Sequence, residues 1–189
     1  KQEQEKEEEK KREQEQRKQK LNATCREICA QCGPDARREG SQEVTFTKIE
    51  VCDKDGNPCQ KFETGDKVII KIDYACHENF IEEGSVSVGI TRDDWVYCGG
   101  LALILENGNN IKLSKVGHIE LVIDDIPLLE GKYMLDFYFE NGDKKFDILH
   151  ELVLLQILDG YQHSVGIAKI SHKWYVDQKE VVQHRFDLR

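Results

Sequence analysis

The sequence predicts an all-β protein, a two-sheet antiparallel sandwich behind an N-terminal charged spacer that is helical or disordered. Two observations carry this. Apolar and polar residues alternate along several segments after residue 43, the period of a half-buried strand. Clusters of Gly, Asn and Asp separate those segments at the spacing of strand-joining turns.

Residues 1–24 are the spacer. The first twenty hold eight Lys/Arg and seven Glu and no apolar side chain. Glu7 and Lys11, Glu8 and Arg12, and Glu13 and Arg17 place an acid four residues before a base, the favourable order on a helix. No hydrophobic stripe precedes Leu21, so there is no coiled-coil seam, and a solvated helix or frayed tail is expected. Residues 25–43 are a junction. Asn22 or Thr24 caps a short helical turn, and Gly33-Pro34-Asp35 turns the chain.

Residues 44–189 form the sandwich. Val44–Val51 is apolar with a change of phase midway, and Asp53–Gly56 is a turn. From Lys67 to Tyr74, Val68, Ile70, Ile72 and Tyr74 share one side, with Ile69, Lys71 and Asp73 on the other. Val86, Val88 and Ile90 point inward between Ser85 and Thr91, leaving Ser87 and Gly89 outward. Trp95–Leu105 is an apolar strand whose Gly99-Gly100 predicts a bulge or bend, followed by a turn over Glu106–Asn110. Ile119, Leu121 and Ile123 alternate inward, as do Tyr133, Leu135, Phe137 and Phe139, with Asp136 and Tyr138 facing away. Phe146–Leu158 reads as strand although its leucines also fit a helix. Val165–Val176 and Val181–Phe186 complete the set.

The whole chain carries −9 and its first twenty residues +1, so the remainder carries −10. An acidic body opposes a phosphate-backbone groove, and no nucleic acid is expected. No run of 18 apolar residues is present to span a membrane, and the opening residues are not a signal peptide. Seven cysteines at scattered spacing do not form a secreted disulfide framework, so reduced thiols in a cytoplasm are expected. The chain opens on Lys1, and we expect a piece of a larger protein.

Several ordered segments carry a resemblance. They are Gly40–Val51, Asp53–Asn57, Phe62-Glu-Thr-Gly-Asp66, Val68–Tyr74, Val86–Ile90, Ile126-Pro-Leu-Leu-Glu-Gly-Lys-Tyr133, Leu135–Phe139, Phe146-Asp147 and Gly166–Trp174. Together, over about residues 40–176, they resemble the C-terminal polysaccharide-binding domain of the ATPase subunit of O-antigen ABC transporters, the Wzt type. The chain departs from that pattern between Trp95 and Asn110, where it has Asp93-Asp94-Trp95 and Cys98-Gly99-Gly100. The resemblance implies an immunoglobulin-like sandwich that recognises a finished O-antigen-like glycan for export. It implies a homodimer, in some members by exchange of the last strand, to which His172 and Trp174 would contribute. The implied partners are the polysaccharide, an upstream ATPase domain and a transmembrane subunit, at the cytoplasmic face of the inner membrane. No Gly-x4-Gly-Lys-Ser/Thr loop occurs in this sequence.

Sugars offer apolar C–H faces to aromatic rings and hydroxyls to Asp or Asn. The outward residues Lys71, Asp73, Ser87, Asp136 and Tyr138 would line one wet sheet face if their strands are neighbours, with Trp95, Tyr97 and Trp174 near its edges. Tyr97 and Trp174 also suit a core or dimer contact. Catalysis has little support: there is no Gly-x-Ser-x-Gly, and the adjacent acids of Asp93-Asp94 and Asp124-Asp125 read as turn residues. No cofactor is expected. The competing reading is a metal- or iron–sulfur-binding regulatory or redox protein built on Cys25, Cys29 and Cys32, a CxxxCxxC set, against the plainer one of unliganded thiols.

Overall fold

The computed structural model describes residues 23–77, 83–158, 166–169, 175–176 and 179–180. A short helix α1 (residues 23–28) leads into β1 (Arg37–Glu39), β2 (Val44–Cys52), β3 (Lys61–Glu63), β4 (Val68–Cys76), β5 (Glu83–Arg92) and β6 (Tyr97–Ala102). Helix α2 (Leu103–Asn107), β7 (Ile111–Lys112), β8 (Val116–Ile123), β9 (Gly131–Asn141) and β10 (Lys144–Leu158) follow, then the small pair β11 (Tyr175–Val176) and β12 (Lys179–Glu180). The larger sheet runs β1-β10-β9-β5-β6, with β3 joined to β10 and β7 to β5. The smaller sheet is β2-β4-β8. Pairing is antiparallel except between β3 and β10.

The alternation read from the sequence is the observed burial. Along β4 every second residue from Val68 to Cys76 is buried, and β9 buries Tyr133, Leu135, Phe137 and Phe139. The phase change in β2 is a register shift between Phe46 and Lys48, which moves Ile49 and Val51 back onto the core side. Between the sheets, the Phe46 ring lies 6.3 Å from Phe137 and 5.5 Å from Phe139, and Tyr74 meets Phe139 edge-on at 5.2 Å. Such pairs add about 0.5–1.5 kcal/mol each beyond the area they bury. At one end of this core the buried Asp147 carboxylate takes the Phe46 N–H at 2.8 Å and two guanidinium hydrogens from Arg38, at 2.8 and 2.6 Å. That satisfies a charge which burial would otherwise make costly.

Two strand expectations are revised. The strand expected over Trp95–Leu105 stops at Ala102, and Leu103–Asn107 is helical. Gly108, at φ 75°, ends that helix by donating its N–H to the Ile104 carbonyl. Within the expected junction of residues 25–43, Cys25, Cys29 and Ala36 are fully buried in the core. The Gln31 side chain accepts the Val51 N–H and donates to the Val51 and Cys59 carbonyls, Gly33 N–H reaches the Leu152 carbonyl at 2.8 Å, and Cys32 bridges Val153. Of the strand expected over 165–176, residues 166–169 lie against the Pro127–Leu129 loop, with Ala168 bridged to Leu128. The spacer up to residue 22 and the segment Val181–Phe186 lie outside the described residues.

Strand β10 is strand and not helix, but it is interrupted. Leu149 is opposite Phe137 and Val153 opposite Leu135, so His150, Glu151 and Leu152 face the single residue Asp136. Glu151 sits at φ 51°, unusual for a residue with a side chain.

Candidate functional site

The outer face of the larger sheet follows from register. Ser87 pairs with Tyr138 on one side and Ala102 on the other, Gly89 with Asp136 and Gly100, and Thr91 with Met134 and Tyr97. All nine point away from the core, because their neighbours Val86, Val88, Leu135 and Phe137 point into it. The middle row is two glycines ending at a carboxylate. A furrow floored by glycine backbone therefore crosses β6 and β5, exposed at Gly100 and buried beneath neighbouring side chains at Gly89.

Tyr97 reaches this face through a bulge. Ile90 pairs with Gly99 but Thr91 with Tyr97, so Cys98 is an extra residue that turns the Tyr97 ring outward. The ring then leans over the floor. A Cβ at Gly100 would collide with the Tyr97 hydroxyl, and one at Gly89 would touch Tyr138 Cε2 at 3.5 Å and Tyr97 Cε2 at 3.7 Å. Both phenols converge on the space that two missing side chains leave, while Tyr97 stays 66% exposed.

Asp136 is fixed at the inner end. Its Oδ1 accepts the Glu151 N–H at 2.6 Å, which pins the β10 bulge. Burial, together with the Asp136 charge and its hydrogen bond, pushes the Tyr138 phenol up to about 12. Tyr138 packs edge-on against His150 at 6.1 Å, and His150 Nε2 lies 3.4 Å from Glu39. At the β5–β6 tip, Arg92 Nε donates to Asp94 at 2.9 Å, and this holds the Asp94 carboxyl below its usual range. There Trp95 adopts φ 67° and is 70% exposed. A bulky residue held in left-handed backbone costs about 1–3 kcal/mol, and a mostly exposed indole recovers little of it by burial.

The phenol rings are flat apolar faces of the kind on which a ligand can stack, and the Asp136 carboxylate is a hydrogen-bond acceptor. Residues 35–170 match the Wzt C-terminal domain family. The chain belongs to that family. The association with an O-antigen ABC transporter expected from the sequence rests on this membership. A crystal structure of the C-terminal domain of Wzt superposes with TM-score 0.69 at 14% identity, covering 77% of this chain and 91% of that one, so the immunoglobulin-like sandwich is shared. A putative β-galactosidase from Bacteroides fragilis (TM-score 0.42, 10% identity, 58% of this chain and 16% of that) and a β-glucuronidase from Parabacteroides merdae (0.40, 14%, 61% and 14%) are far weaker likenesses and carry nothing further. No curated protein matches the chain.

Within the Wzt-type sandwich the expected wet residues do not share one face. Ser87, Asp136, Tyr138 and Tyr97 come together as described. Lys71 and Asp73 lie on β4, in the other sheet, and point out of the opposite side of the molecule. There Asp73 Oδ1 is 2.6 Å from His118 Nδ1, and Lys71 is in register with Glu50 and Glu120. Sequence alternation assigned the correct side of each strand but not the sheet. It also passed over Gly89 and Gly100 as parts of the site and missed Thr91, Met134, His150 and Glu151. A Gly in an outward strand position was the available signal, since it marks close approach. His172 and Trp174 lie outside the described residues.

The cysteine reading finds no support. Cys25 and Cys29 are buried, which pushes their thiols up to about 12 and about 11, and Cys32 is raised for the same reason. A metal needs thiolates, and this environment disfavours them. Among the described residues, no group of three or more His, Cys, Asp or Glu is placed to hold a metal ion.

Proposed function

We propose that this domain is a non-catalytic glycan reader that binds an O-antigen-like polysaccharide on the outer face of its larger sheet, for export by an ABC transporter. The observation that carries this is the convergence of Tyr97 and Tyr138 over the Gly89–Gly100 floor, ending at Asp136. A pyranose stacks its apolar face on the phenols and donates a hydroxyl hydrogen to the carboxylate. Trp95 lies at the rim, where its costly backbone offers a further ring to a long chain. The domain works in the cytoplasm at the inner membrane face, as a homodimer, beside an ATPase domain and a transmembrane subunit.

The test is retention of the producing cells' own polysaccharide on immobilised domain. The wild type should hold it, and a Tyr97→Ala/Tyr138→Ala variant with an unchanged circular dichroism spectrum should not. Equal retention by the two proteins would move the site off this face.

A further inference from the structure

We infer that the furrow selects uncharged sugar residues and discriminates against those bearing phosphate, sulfate or carboxylate groups; this rests on the glycan reading above. The side chains rising around the glycine pair are Ser87, Thr91, Tyr97, Met134, Asp136 and Tyr138. They supply hydroxyls, a thioether and one carboxylate, and no nitrogen donor or positive charge. Anion sites in proteins are built from guanidinium forks, ammonium groups or free backbone N–H. Among the described residues, none of these faces this floor. The N–H groups of β5 lie in the sheet plane, paired to β6 and β9.

The nearby cations are occupied or stand away from the acidic end of the furrow. Arg37 donates to Glu151 at 3.0 Å, and Arg92 is held by Asp94. Lys145 is in register with Glu140, and His150 faces Glu39. Lys132, on the same outward face, stands two residues from Met134, roughly 7 Å at strand rise, but four residues and roughly 13 Å from Asp136, so it leaves the acidic end of the furrow beyond the screening length of physiological salt. The fixed charge at the furrow end is the Asp136 carboxylate, so an anionic substituent there meets repulsion with no compensating donor. A neutral ring with a free hydroxyl meets the reverse.

Polysaccharide from the producing cells, separated by anion exchange into neutral and anionic fractions, provides the probe. Each fraction is titrated against the wild type, the Tyr97→Ala/Tyr138→Ala variant and Asp136→Asn. We expect tyrosine-dependent binding of the neutral fraction at least tenfold tighter than the anionic one. Asp136→Asn and high salt should both narrow that gap, since both weaken repulsion. Tyrosine-dependent binding of the anionic fraction within tenfold of the neutral one overturns the inference and leaves the glycan reading standing. A gap indifferent to salt and to Asp136→Asn is steric and also overturns it. If neither fraction binds in a tyrosine-dependent way, the glycan reading itself falls, and the selectivity with it.

Discussion

The sandwich has two wet faces of different chemistry. On the smaller sheet, Lys48, Glu50, Lys71, Asp73, His118 and Glu120 stand in cross-strand rows that set opposite charges side by side, such as Asp73 with His118, Lys48 with Asp73 and Glu50 with Lys71. Those long side chains neutralise one another and hydrate well. The larger sheet presents glycines where such chains would stand, and phenols leaning into the gap. Solvation explains the first face completely. It does not explain the second, where Tyr97 ring surface stays exposed over positions that carry no side chain. The lesson is that an outward position is only the start of a site; what separates a hydrated face from a binding face is which side chains are missing.

The comparison breaks most directly by removing the rings. Tyr97→Ala with Tyr138→Ala should weaken polysaccharide binding roughly ten- to hundredfold, from about 0.5–1.5 kcal/mol of stacking at each ring. Lys71→Ala with Asp73→Ala should leave it within about twofold, since stacking energies of that size are absent there. Titration of both proteins with the same glycan decides; a larger effect from the β4 pair would reverse the assignment of faces.

Stability sharpens the contrast. Asp136→Ala removes a charge-assisted bond to the Glu151 N–H and should cost about 1.5–3 kcal/mol in urea unfolding. Asp73→Ala, which breaks an exposed pair, should cost less than about 1 kcal/mol.

Proton binding gives a third measure. The Tyr138 phenol should titrate near 12, above its ordinary value near 10, followed by phenolate absorbance. The fold favours the neutral phenol, so this contribution is intact below pH 10 and stability declines as pH rises toward 12. Asp136→Asn should lower that midpoint by removing a negative neighbour, while Asp73→Asn should leave it alone.

The smallest effect belongs to the floor. Gly100→Ala has ordinary strand backbone available, so the collision is met by moving the exposed Tyr97 ring. We expect a stability change under about 1 kcal/mol with a three- to tenfold loss of glycan affinity. Unchanged affinity would mean that the ring does not need to lie over the floor.

Alternation sorted β4, β5, β8 and β9 into inner and outer sides, and even the slip in β2 was visible as a phase change near Lys48. Period-two patterning reflects a purely local contrast, so it survives in sequence. Register and sheet membership are long-range. Nothing near Gly89 says that Asp136 stands opposite, or that Lys71 belongs to a different layer. The strap of residues 25–39 was hidden for another reason. Helix α1 is too short to show a hydrophobic period, and Gln31 ties it to β2 and to the Cys59 carbonyl through a polar amide that patterning does not weigh. Met134 and Thr91 escaped because neither residue type stands out until the register gathers them.

The β10 bulge ties Asp136 to more than the proposed ligand. One carboxylate oxygen holds the Glu151 N–H, and on the far side the same bulge receives Gly33 and Cys32 from the strap. A lineage that changes sugar preference by replacing Asp136 would also loosen the seam between strap and sheet. Ser87, Thr91 and Met134 hold no comparable joint. Drift in ligand choice is therefore channelled: the furrow can be retuned cheaply along its walls, while its acidic end is inherited together with the architecture.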